Sequence, residues 1–153
     1  MNLSIGDHCW IWHHSIVDAS NGVSIGEGVQ IGAFVGIFSH SSHVAIRLLG
    51  KDFLATPVED RIGYVREPVE IGDYTFIAAS SIVLPGAKIG RGCVVGAGSV
   101  VKGNIPDFSV VAGNPARIVG SVDSFDKRYL GNEEIMRSYF DKDHLADLMG
   151  KEM

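Results

Sequence analysis

Residues 71–106 divide without remainder into six hexads, IGDYTF, IAASSI, VLPGAK, IGRGCV, VGAGSV and VKGNIP. Each opens on a branched aliphatic residue: Ile71, Ile77, Val83, Ile89, Val95 and Val101. Four positions later stand Thr75, Ser81, Ala87, Cys93 and Ser99, all small or slim, and finally Ile105. A period of six sustained over this length does not suit a helix of ~3.6 residues per turn, and a simple amphipathic strand would not place a turn in every hexad. Short strands joined at corners satisfy it, with every third hexad stacked on the first. A glycine-rich sandwich does not, because its strands recur at roughly 8–12 residues and hold no strict hexad.

The physical reading is a triangular parallel coil with one hexad per side and about eighteen residues per turn. The opening aliphatic residue points into a narrow interior, the glycine after it allows a tight corner, and the slim residue fills the space where a large side chain would not fit. Nineteen glycines and five prolines in a chain that is 46% hydrophobic fit many such corners.

The repeat is already running near the amino terminus. Ile5 opens IGDHCW, Ile11 opens IWHHSI and Val17 opens the less regular VDASNG. Val23 and Ser24 shift the frame, which resumes at Ile25, Ile31 and Ile37. Three hexads per turn give two turns before residue 43 and two more from Ile71, a coil of about four turns with Ile5, Ile25, Ile71 and Ile89 stacked along one side. The expected class is all-β, with the coil domain over residues 1–119.

Residues 44–68 lose the hexad. They carry Arg47, Lys51, Asp52, Glu59, Asp60, Arg61, Arg66 and Glu67, interleaved with Ile46, Leu48, Leu49, Phe53 and Leu54. A loop this long in a compact domain suggests a functional, packed excursion. After residue 106 comes a last extended segment with a Gly-Asn-Pro turn. From Asn132 the period becomes helical, with Asn132 placed to cap, Glu133 and Glu134 in the first turn, and an interruption near residues 141–143. Residues 120–153 are expected to form a helical cap over the open end of the coil, where bare strand edges would otherwise invite other chains.

The net charge of −5 and the lack of a basic cluster exclude a nucleic-acid surface. No apolar stretch approaches the ~18 residues of a membrane span, and the first twenty residues show no signal pattern, so a cytoplasmic location is expected. Cys9 and Cys93 fall on slim inward positions, which reads as packing and not as a disulfide or nucleophile.

Three constellations could carry chemistry. FSHSSH places His40 and His43 where the coil gives way to the loop; imidazole titrates near neutrality and can take a proton from an attacking hydroxyl or amine, worth ~10²–10⁴ in rate. GAGSVV, KGNIP and GNPAR bring small residues for close backbone approach together with Lys102 and Arg117 as cations near a carrier's phosphates. His8, His13, His14 and Asp18 form the third. A zinc site would need converging imidazoles, whereas His8, His14 and His40 occupy equivalent places on three different sides, so no metal is expected. Asp18 with His13 or His14, one turn before His40, is better suited to hydrogen-bonding sugar hydroxyls.

These motifs resemble the left-handed β-helix of the hexapeptide-repeat acyltransferases, over residues 3–119, and within them the sugar O-acetyltransferases of the galactoside and maltose type that include polysaccharide-modifying members. The left-handed crossovers of that fold are an exception to the usual right-handed rule. The resemblance implies an acetyl-coenzyme A-dependent O-acetyltransferase acting on a sugar or nucleotide-sugar acceptor by direct transfer, with the catalytic histidine at His40 or His43. Its carrier groove maps to Ala79, Ala97, Lys102, Asn114, Pro115 and Arg117. It also implies a homotrimer with each site between two neighbours, the histidine and the groove coming from different chains. No covalent nucleophile is required. Where relatives commonly read valine-tryptophan-isoleucine-glycine, this chain has Thr75, Phe76, Ile77 and Ala78, which leaves the fold reading untouched. An N-acetyltransferase for an amino sugar or serine-like acceptor would share coil and groove. A γ-class carbonic anhydrase would share the coil alone, and a non-catalytic scaffold would not need His40, Lys102 and Arg117 together.

Overall fold

The computed structural model describes residues 2–150. The chain visits three parallel sheets in rotation. The first face stacks Leu3–Ile5, Val23–Ile25, Val69–Ile71, Lys88–Ile89 and Asn104–Ile105. The second stacks Trp10–Ile11, Gln30–Ile31, Phe76–Ile77, Val94–Val95 and Ser109–Gly113, and the third Ile16–Asp18, Gly36–Phe38, Ile82–Val83 and Val100–Val101. In register, Ile5, Ile25, Ile71, Ile89 and Ile105 form one interior column. Ile11, Ile31, Ile77, Val95 and Val111 form the second, and Val17, Ile37, Val83 and Val101 the third. Ile31, Ile37, Ile77, Val83, Val95 and Val101 are fully buried, whereas Ile5 and Ile11 on the first turn have no rung beneath them and remain 45% and 40% exposed.

Several slim positions are hydroxyls or thiols for a reason beyond size. Four of them send a hydrogen bond to a corner carbonyl of the next turn: Cys9 to Gly26 O at 3.0 Å, Ser15 to Gly32 O at 2.9 Å, Thr75 to Gly90 O at 2.8 Å and Ser81 to Gly96 O at 3.0 Å. Thr75 Oγ1 also accepts from Cys93 N at 3.1 Å. A buried carbonyl without a partner is costly, so the slim residue satisfies the corner while it fills the interior. Cys93 occupies such a place, 1% exposed and bonded to Pro106 O at 3.1 Å, and burial pushes its thiol above the ordinary range. Cys9, on the open first turn, is only partly buried.

Val23 and Ser24, which look like extra residues in the sequence, belong to the first-face strand. Val23 pairs with Leu3 and Val69 and is 2% exposed. The two added residues lengthen the corner before it, and that corner carries Ser20 and Asn21.

After Gly36–Phe38, the second strand of the third face, His40–Ser41 leaves the coil and pairs antiparallel with Val65–Arg66, closing the base of the excursion. Helix α1, Ala45–Leu49, lies inside it. Ala45 is buried, but Ile46, Leu48 and Leu54 are 53%, 61% and 85% exposed, so within one chain the excursion is less packed than its composition predicts.

The carboxyl end departs from the expected cap in where it packs. Ala116–Ser121 turns back antiparallel on Ser109–Gly113 and covers the edge of the second face. Beyond it come α2 (Asp123–Asp126), α3 (Glu133–Ser138) and α4 (Lys142–Gly150). Asn132 caps α3 as the sequence suggests, its Oδ1 accepting from Glu134 N at 3.0 Å and Ile135 N at 3.2 Å. The interruption before α4 places Phe140 on the corner between the first and second faces, stacked on Tyr74 at 4.6 Å, while His144 stacks on Phe108 at 3.5 Å and Asp141 pairs with Arg91 at 3.1 Å. Phe108 fits there because Gly92 sits below it at φ +61°; a Cβ at Gly92 would lie 2.7 Å from the Phe108 ring.

Candidate active site

Asp18 closes its third-face strand and pairs in register with Phe38, which puts its carboxylate beside residues 39 and 40 one turn above. Ser39 is fully buried and wedges this junction, donating its hydroxyl to Asp18 O at 2.8 Å and accepting from Asn21 N at 2.9 Å. His40 follows, and its Nδ1 lies 2.5 Å from Asp18 Oδ2. Ser20 joins them, with Oγ 3.2 Å from His40 Nδ1 and its amide donating to Asp18 Oδ1 at 3.2 Å. Burial alone would raise the Asp18 carboxyl, but hydrogen bonds from the Ser20 hydroxyl and amide and from His40, with its charge, hold it below the usual value.

An ionised carboxylate on Nδ1 fixes the imidazole tautomer with Nε2 as the acceptor, the same logic by which an aspartate orients a catalytic histidine elsewhere. Among the described residues Nε2 has no hydrogen bond, and the His40 side chain is 36% exposed against 22% for Asp18. The pair is therefore a carboxylate-oriented base with its working nitrogen open. On its other side Tyr64 stacks on the imidazole, centroids 5.6 Å apart.

His43 is engaged differently. Its Nδ1 meets Ser41 Oγ at 2.8 Å, and it lines a pocket of about 250 Å3 with Ser41, Val65, Leu84, Pro85 and Lys102. Lys102 follows the third-face strand Val100–Val101, so it stands at the edge of that face near His43 and not beside Ala97, which precedes the strand. Ala79 and Ala97 stack at the corner between the second and third faces, where Gly98 N donates to Ala79 O at 3.0 Å. Asn114 and Pro115 form the turn of the hairpin, joined by a cis peptide, and Arg117 follows on the returning strand with Nη1 on Ala116 O at 3.0 Å. The third face between these edges presents Gly36, Ile82 and Val100, a small apolar floor.

Of the upstream group, Asp18 is engaged by His40 and not free for an acceptor. His13 and His14 lie in the turn before the Ile16–Asp18 strand, at the end opposite Asp18. His14, at φ +61°, stacks on Phe34 at 5.1 Å, and His13 contacts Trp12 and His14 edge-on. No group of three or more His, Cys, Asp or Glu among the described residues is placed to hold a metal ion. No helix among them is long and apolar enough to cross a membrane.

Sequence reasoning missed Ser20, Ser39, Asn21 and Tyr64. For the first and third the two-residue frame shift was the available signal; Tyr64 lies in the aperiodic excursion and left none. An open depression of about 550 Å3, lined by Asn2, Ser4, Asn21, Ser24, Arg66 and Glu70 among others, borders the dyad through Asn21 and Arg66.

With this coil and this junction in place, the comparisons with known proteins agree on what the chain is similar to: two blocks of it match hexapeptide-repeat transferase descriptions, and the proteins it resembles are hexapeptide-repeat acetyltransferases. The family description "Bacterial transferase hexapeptide (six repeats)" matches residues 67–103, and "Hexapeptide repeat of succinyl-transferase" matches residues 2–37. A probable acetyltransferase of Mycobacterium tuberculosis is 32% identical over 120 residues, which is 77% of this chain and 37% of that protein. The hexapeptide-repeat acetyltransferase of Vibrio cholerae complexed with acetyl coenzyme A superposes with a TM-score of 0.64 at 26% identity, over 78% of this chain and 60% of that one. A galactoside acetyltransferase in complex with coenzyme A gives 0.61 at 27% identity, over 82% and 58%. Such neighbours imply that the coil is left-handed. The chain spans little more than a third of the length of the mycobacterial relative.

Proposed function

We propose that this chain transfers an acetyl group from acetyl-coenzyme A to a hydroxyl of a sugar or sugar-containing precursor, on a left-handed coil of about four turns. The observation that carries the reading is the Asp18–His40 pair, with Nδ1 held and Nε2 open. His40 Nε2 takes the acceptor's hydroxyl proton as the oxygen attacks the thioester carbonyl. The tetrahedral adduct collapses, the C–S bond breaks, and the imidazolium returns its proton to the leaving thiolate. No side chain becomes acetylated, in keeping with the buried, weakly acidic Cys93.

The donor is read as lying along the third face, its backbone approached at Ala79, Ala97, Asn114 and Pro115 and its phosphates met by Lys102 and Arg117. The polar depression beside Asn21 and Arg66 suits a polyhydroxylated acceptor. Exposed Ile46, Leu48 and Leu54 support a side-by-side homotrimer, a heterologous arrangement closed after three copies, in which His13 and His14 of a neighbour could complete the acceptor side. Thiol release from acetyl-coenzyme A, followed with a panel of sugars and amines, tests the proposal. Turnover that survives in His40→Ala removes the base, and turnover of amines alone moves the acceptor class to amino sugars or amino acids.

A further inference from the structure

Asp18 fixes one atom of His40, Nδ1, and one hydrogen bond leaves an imidazole free to pivot, because the χ2 torsion of histidine is broad. The face of Tyr64, tilted by only 17° from the imidazole plane, opposes that pivot. Tyr64 is itself held from several sides. Phe53 lies 6.5 Å away, and the Arg61 guanidinium sits 4.3 Å from the Phe53 centroid and 5.7 Å from that of Tyr64. Arg66 stands 5.8 Å from the Tyr64 ring. Both guanidiniums are pinned by loop carbonyls: Arg61 Nε donates to Thr56 O at 3.0 Å, and Arg66 Nη2 donates to Val58 O at 2.8 Å and Glu59 O at 3.0 Å. Just before Tyr64, Gly63 turns at φ +78° so close under α1 that a Cβ there would lie 2.9 Å from Val44 Cγ1. Just after it, Val65–Arg66 pairs with His40–Ser41, so the ladder that holds His40 starts one residue beyond Tyr64.

We propose that Tyr64 is a positioning residue: its ring holds the plane of the His40 imidazole, so that Nε2 keeps one direction while Nδ1 stays on Asp18. The excursion thereby serves the base directly, beyond any contact it makes with an acceptor. The inference rests on the reading of His40 as the base.

Two measurements on the full chain test it. By NMR, the His40 ring protons carry an upfield ring-current shift in wild type and in Tyr64→Phe, and lose it in Tyr64→Leu. In acetyl transfer to whichever acceptor the panel identifies, Tyr64→Leu lowers kcat about tenfold with KM for acetyl-coenzyme A unchanged, a fraction of the ~10²-fold that a 1 Å misplacement can cost, and Tyr64→Phe restores it. Wild-type kcat in folded Tyr64→Leu overturns the proposal, as does a Tyr64→Phe variant as impaired as Tyr64→Leu, which would assign the effect to the hydroxyl. Full activity in His40→Ala instead sinks the base assignment, while the NMR result still reports the stack independently.

Discussion

Asp18 Oδ2 and His40 Nδ1 stand 2.5 Å apart although 22 residues separate them, because the strand that ends at Asp18 lies directly beneath the one that leads into His40. The base and its orienting carboxylate are thus set by adjacent rungs of a rigid coil, with the buried Ser39 as the wedge between them. His40→Ala is expected to lower acetyl transfer by ~10²–10⁴. Asp18→Asn should lower it less, since an amide can still bond Nδ1 without favouring one tautomer. Thiol release at saturating acetyl-coenzyme A ranks the two.

Asp18 also makes stability depend on pH. Its folded carboxyl titrates below the unfolded value of 3.8, so its contribution is fully present above that value and is lost as pH falls through the folded one. Urea midpoints at pH 6 and pH 3 should therefore differ more for wild type than for Asp18→Asn. An equal difference would mean that the carboxylate gains nothing from Ser20 and His40 on folding.

Thr75→Val keeps the volume of a fully buried slim position but leaves Gly90 O and Cys93 N without their partner. The expected loss is ~1–3 kcal/mol, against ~2–5 kcal/mol for the cavity left by Ile77→Ala. Denaturant unfolding measures both.

Cys93 should react with a disulfide reagent at pH 8 only on the timescale of unfolding, because its thiol is buried and its ionisation is pushed up by that burial. Cys9 should react sooner. Cys93→Ser should retain acetyl transfer, and its loss in a folded variant would reopen a covalent route.

Lys102→Ala and Arg117→Ala should each weaken coenzyme A binding by calorimetry. Lys102 follows a third-face strand and Arg117 lies on the returning strand of the second face, so their effects should add if one extended carrier touches both.

The hexads were legible because every rung meets the same interior, so residue type at each place is dictated alike from turn to turn. Even the capping Asn132 could be read locally. What depended on departures from the rule was harder. The corner before Val23 is longer by two residues, and those residues carry Ser20 and Asn21 into the site; the frame shift was visible, but its purpose was not. The partnership of Asp18 with His40 was within reach, since hexad counting sets Asp18 against Phe38. Tyr64 was not, because the excursion has no period and only the Val65–Arg66 ladder returns it to His40. The placement of Lys102 away from Ala97 follows from one strand running the width of a face.

The strand Ala116–Ser121 runs against the direction of all the rungs before it. A parallel stack has no internal reason to stop, since each new turn offers the next an identical template. A single reversed strand ends that parallel template on the second face, whereas Asn104–Ile105 and Val100–Val101 are the last rungs of the first and third. On the second face a further parallel rung cannot be appended after Ser109–Gly113, so an added turn there has to be inserted between existing rungs.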